Sequence, residues 1–292
     1  MDMPTSPKIW LNYDQTELDA QYNQRSVVPD GDDYKAGDAT ASAEARASIE
    51  CRVDISYGVT EHERLDVFPA KEAGSPILVF LHGGAWTRGD KSNESFIAPP
   101  LVAAGAAVVC VNFTLAPEAS LDEIVNQCRR AVGWAHTYAE DINGDAGRIV
   151  IAGHSSGAHL ASMMLVTDWS NTRLPADVIK GCVITSGMYD LAPVRLTYRN
   201  GYLHLDDDAV EQLSPIRHLR AGLPPVAVFY GGLELAEFRR QNQDLANALE
   251  DTGLACETAD LPGLNHFEMG RQLAVPESPV HQAAVRLLGL AG

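Results

Sequence analysis

The stretch RIVIAGHSSGAHLASMML, residues 148–165, constrains the fold more than any other part of the chain. Ile149-Val150-Ile151-Ala152 is short and continuously apolar, the pattern of a strand buried on both faces. From Ala158 the residues are small or long and unbranched, which suits a helix. Between the two stands Gly153-His154-Ser155-Ser156-Gly157. A Gly-x-Ser-x-Gly turn from strand to helix strains the backbone at its serine. It also needs small neighbours two places either side, so that strand and helix can approach. The turn lifts the Ser155 hydroxyl clear of the sheet. It leaves the Ser156 N–H at a helix N-terminus, where it can donate to a developing oxyanion. The same letters occur in plain Gly/Ser loops; the flanking strand and helix argue against that reading here.

The remaining chain supplies the sheet. Residues 77–81 (ILVFL), 106–111 (AAVVCV), 179–185 and 225–230 read as further buried strands, and 255–261 as a last one. Residues 51–57 and 64–69 alternate apolar and polar, as half-exposed antiparallel strands do. In residues 121–138, Leu121, Ile124, Val125, Cys128, Ala131, Val132 and Ala135 recur at threes and fours and predict one apolar helix face. Residues 238–249 and 279–290 read as helices. Buried strands alternating with helices give an α/β class: a mostly parallel central sheet with helices on both faces. Ligands in such sheets bind beyond the carboxyl ends of the strands. Residues 1–50 form a polar N-terminal arm, with helices expected near 16–26 and 34–49 and a turn at Asp30-Gly31-Asp32-Asp33. The arm either packs on the main domain, residues 51–292, or covers its site.

Composition removes several partners. The net charge of −17 argues against nucleic acid and against anionic membrane. No segment approaches a membrane span, and the N-terminus lacks the pattern of a signal peptide. The five cysteines are scattered, odd in number and without a Cys-x-x-Cys, which fits a reducing, cytoplasmic setting. No metal or cofactor motif appears, so none is expected. A homo-oligomer is compatible with the chain but not legible in it.

The turn needs an oxyanion donor, a base and an acid. His82-Gly83-Gly84-Ala85-Trp86 follows the 77–81 strand, and its glycines let backbone N–H groups face a ligand. Gly83, Gly84 and Ala85 are therefore candidates to join Ser156 in an oxyanion hole, with His82 holding the loop. With such a turn the partners follow in the order serine, acid, histidine. His266, after the last strand, is the candidate base. His62, His136, His154, His159, His204, His218 and His281 lack a matching context. Glu234 and Glu237 both follow the 225–230 strand. Glu237 opens the next helix, where a carboxylate also serves the dipole, so the earlier Glu234 is favoured. Asp260 lies within a strand. Trp86, Phe113, Met188 and Tyr189 are candidates to line a substrate pocket, or equally to fill the core.

HGGAW, GHSSG and the late histidine, in that order, resemble the α/β-hydrolase superfamily from about residue 50 onward. Within it, VNFTLAPE is similar to hormone-sensitive-lipase-like esterases, while YDQTELDAQYNQR, SGMYDLAPV and GGLELAEFRRQ are similar to the arylformamidase-like branch. That resemblance places the acid at Glu234, where aspartate is usual. It implies a serine hydrolase that cleaves an ester or formamide-type bond of a small, aryl-bearing substrate. A general carboxylesterase or lactonase is the alternative, and a non-catalytic hydrolase-fold scaffold a further one.

Overall fold

The computed structural model describes residues 6–290. Eight strands form one sheet: β1 (Arg52–Ser56), β2 (Arg64–Phe68), β3 (Ser75–Leu81), β4 (Ala107–Val111), β5 (Gly144–His154), β6 (Ile179–Thr185), β7 (Val226–Gly231) and β8 (Cys256–Leu261). Their order is β1-β2-β4-β3-β5-β6-β7-β8. β2 pairs antiparallel with β1 and β4; β3 to β8 run parallel. β5 is central, so the turn at its carboxyl end opens over the middle of the sheet.

The apolar runs explain this burial. Along β3 the side chains alternate between faces. Ile77, Val79 and Leu81 join one core with α4 (Leu121–Thr137) and α5 (Ser156–Val166). Leu78 and Phe80 join the other, with α3 (Ala98–Ala104) and the helix Pro279–Leu287. The α4 stripe read from the sequence is buried in full, and Ser120 caps the helix by accepting from Glu123 N–H.

Several local readings differ. The arm holds α1 (Gln15–Gln21) and α2 (Gly31–Ser48). Asp32 and Asp33, read as part of a turn, instead lie in the first turn of α2, where their charges complement the helix dipole. α3 carries Pro at its start, a breaker in sequence terms but tolerated in a first turn. Residues 191–213 hold three short helices that give no periodic signal. His266, expected on a loop, is the first residue of the helix His266–Arg271. Among the described residues no helix is long and apolar enough to cross a membrane.

Candidate active site

β5 runs straight into α5 through Ser155, whose backbone sits at φ 57° and ψ −124°. A non-glycine residue held there stores strain. The flanking glycines show what the turn requires. A Cβ on Gly153 would lie 2.2 Å from the Gly157 carbonyl oxygen, and one on Gly157 would lie 2.0 Å from that of Leu81. Neither contact is sterically allowed, so only glycine lets helix and strands come this close.

His266 Nε2 lies 3.0 Å from Ser155 Oγ, and its Nδ1 lies 2.7 Å from Glu234 Oε1. With the carboxylate accepting from Nδ1–H, the tautomer is set and Nε2 is free to accept the serine proton. All three side chains are buried. Burial, then the nearby Arg199 and Lys35 cations, pushes the His266 imidazole below its ordinary range. Burial pushes the Glu234 carboxyl up, opposed by the Ser186 hydroxyl beside it. Glu237 is spent elsewhere: its two carboxylate oxygens accept from Arg240 Nε and Nη2 at 2.9 and 2.8 Å. Asp260 pairs with Arg239. Of the three candidate acids, only Glu234 touches the imidazole.

The helix that carries His266 is fastened from both ends. Asn265 caps it and forms a capping box with Glu268. The arm then clamps it: Tyr34 donates its hydroxyl to Glu268 at 3.2 Å, and Arg271 Nε donates to Asp38 at 2.6 Å. Phe238 and His154 pack on the imidazole, with centroids 4.9 and 4.7 Å away. His154, set aside in the sequence, thus lines the site, with its Nδ1 3.0 Å from Thr185 Oγ1. No local pattern announces Tyr34, Asp38 or Arg271, since their partners lie more than two hundred residues away along the chain.

The loop after β3 reaches over the turn. A Cβ on Gly83 would lie 2.9 Å from the His154 carbonyl oxygen and 3.2 Å from Ser155 Cβ, so loop and turn are in contact. Ala85 and Trp86 both have positive φ, 56° and 61°, an unusual pair for residues with side chains. Three bonds over-determine them. Trp86 N–H donates to Ser156 Oγ at 3.3 Å, Ala116 N–H donates to the Trp86 carbonyl at 2.7 Å, and Trp86 Nε1–H donates to His159 Nδ1 at 3.3 Å. His159 is held in the accepting tautomer by its Nε2, which donates to the Leu213 carbonyl at 2.7 Å. Among the described residues the N–H groups of Gly84 and Ala85 have no protein acceptor. His82 stacks on Phe113 at 4.3 Å beneath the loop.

A cavity of about 290 Å³ opens on Ser155 and His266. Its wall corrects the candidate pocket residues. Trp86, Phe113, Met188 and Tyr189 are each at most 2% exposed and none lines the cavity. Trp86 is turned inward by its contact with His159, Phe113 by its stack on His82, and Tyr189 by a 3.0 Å bond to Asn242. Gly83, Gly84 and Ala85 do line it, and so do Tyr22, Gln24 and Lys35 of the arm. The arm is therefore part of the wall.

This geometry can be set beside known proteins. A family profile described as an alpha/beta hydrolase fold matches residues 78–269. The kynurenine formamidase of Salmo salar is 33% identical, over 96% of this chain and 98% of that protein. That of Danio rerio is 31% identical over the same shares. A crystal structure from Silicibacter sp. tm1040, described as a thioesterase candidate, superposes with a TM-score of 0.82 at 31% identity, covering 94% of this chain and 99% of that one. The chain belongs to the α/β-hydrolase family. Within that family it is a hydrolase whose relatives include formamidases and esterases.

Proposed function

We propose that the chain is a serine hydrolase that removes a formyl or other short acyl group from a small aryl amine or alcohol. The observation that carries this is the unbroken line from Ser155 through His266 to Glu234 at the floor of a small cavity. In this reading His266 takes the Ser155 proton as the hydroxyl attacks the carbonyl carbon. The N–H groups of Ser156 and of the Gly83–Gly84–Ala85 loop stabilise the oxyanion. The imidazolium returns its proton to the leaving amine or alcohol, and an acyl-serine remains. Water, deprotonated by His266, then releases the acid. Glu234 holds the imidazole in the required tautomer throughout. Near-full-length likeness to two kynurenine formamidases favours a formamide over other acyl groups.

The test is a rate comparison on N-formylkynurenine and p-nitrophenyl acetate with one preparation. The reading expects kcat/KM to be higher for the formamide; turnover of the ester alone would point to a general carboxylesterase. The same assay, run against pH, examines the base. An imidazolium cannot accept the serine proton, and the His266 imidazole is pushed below its usual 6.5. The neutral form then persists to lower pH, so the acid limb of kcat/KM falls below 6.5. A limb above 6.5 would contradict this.

A further inference from the structure

Among the described residues Arg199 is a buried cation without a counter-ion. It is 6% exposed and lines the cavity beside Ser155. Its Nη2 donates to the Tyr22 carbonyl at 2.6 Å, its Nη1 contacts Met188 Sδ at 3.3 Å, and the guanidinium lies over the Tyr22 ring at 5.4 Å. Its Nε has no partner among the described residues. A carbonyl, a thioether and a ring face orient a guanidinium but do not neutralise it. Among the described residues no carboxylate lies within ion-pair distance of it. The contrast is Lys91, which is equally buried and pairs with both Asp54 and Asp66. A charge taken out of water is normally paired or repaid by strong hydrogen bonds.

A second orphan faces the same cavity. Gln24, on the arm, is 6% exposed, and among the described residues neither its amide nitrogen nor its amide oxygen has a partner. Buried amides almost always find one. Lys35 adds positive potential at the rim of the cavity, though it is shared with Asp38 and Glu94. In a chain of net charge −17, this cavity wall carries Arg25, Lys35, Arg88 and Arg199 against Glu94 alone, a local reversal of sign.

We propose that Arg199, with the Gln24 amide, receives a carboxylate on the substrate, so that the cavity selects small acyl compounds bearing that anion. A planar guanidinium and an amide N–H₂ together match the lone pairs of a carboxylate. The arm then serves as a specificity element, because it supplies Gln24 and the Tyr22 carbonyl that aims the guanidinium. This inference rests on the hydrolytic reading of Ser155.

The test uses two formanilides that differ in one group, N-formylanthranilate and its neutral carboxamide, N-formylanthranilamide. A charge-assisted contact of this kind is worth ~10-fold or more, so the wild-type kcat/KM ratio of acid to amide is expected to be at least ~10. Arg199→Gln should bring the ratio toward one, mainly through KM, and Arg199→Lys should restore part of it. A wild-type ratio near one, or an unchanged ratio in Arg199→Gln, overturns the proposal. If Arg199→Gln does not fold, Gln24→Ala on the arm is expected to lower the ratio, and an unchanged ratio there counts against the subsite. Calorimetry with benzoate and benzamide on Ser155→Ala needs no turnover. Benzoate binding ~10-fold tighter supports the subsite even if neither formanilide is hydrolysed, a result that would count against the hydrolytic reading alone; equal binding overturns the subsite.

Discussion

Ser155→Ala is expected to lower kcat by roughly 10⁶-fold, the scale at which removal of a serine nucleophile acts in enzymes of this chemistry. The loss should fall on kcat, with KM little changed, because the hydroxyl acts on the reacting carbon and not on the remainder of the substrate. The variant should fold. Ser155 Oγ bonds to His266 alone, while its backbone N–H still donates to the Thr185 carbonyl at 2.9 Å. Alanine keeps the Cβ already accommodated at φ 57°. Steady-state kinetics on the preferred formamide checks this, and activity within tenfold of wild type would remove Ser155 from its proposed role.

Glu234→Gln and Glu237→Gln are expected to separate cleanly, although the two residues are three apart. Glutamine at 234 keeps length and shape but loses the charge that stabilises the imidazolium. Its amide N–H₂ can also pair with Nδ1 in the wrong tautomer, and such a change costs ~10⁴ in kcat. Glutamine at 237 weakens the paired bonds from Arg240. That should cost about 1–3 kcal/mol of stability, seen as a lower Tm, with kcat nearly unchanged. The opposite pattern, a large kcat loss at 237 and none at 234, would reassign the acid.

The sheet and the line of three side chains were legible for related reasons. A strand buried on both faces leaves a continuous apolar run, and the Gly153 and Gly157 contacts leave a local signature because no other residue fits them. Glu234 could be favoured over Glu237 because one precedes the helix and the other opens it. The rest of the cavity wall, beyond the Gly83–Gly84–Ala85 loop, was not legible. Aromatic residues beside the motifs suggested a pocket, but Trp86 sits in a positive-φ turn that sends its ring inward to His159. The wall residues that no motif announced, Tyr22, Gln24 and Arg199, come from the arm and from a run of short helices. Their placement depends on packing between segments far apart in the chain. No periodicity or spacing encodes that. The same holds for Arg271 and Asp38, whose pairing ties the arm to the helix of His266.

The most direct measurement is reaction of the purified protein with a fluorophosphonate, followed by intact mass and peptide mapping. A buried serine activated by His266 and Glu234 predicts one adduct per chain, on Ser155, and no adduct in Ser155→Ala. An unreacted wild-type protein, or an adduct that survives in Ser155→Ala, would contradict the proposal that Ser155 is the nucleophile.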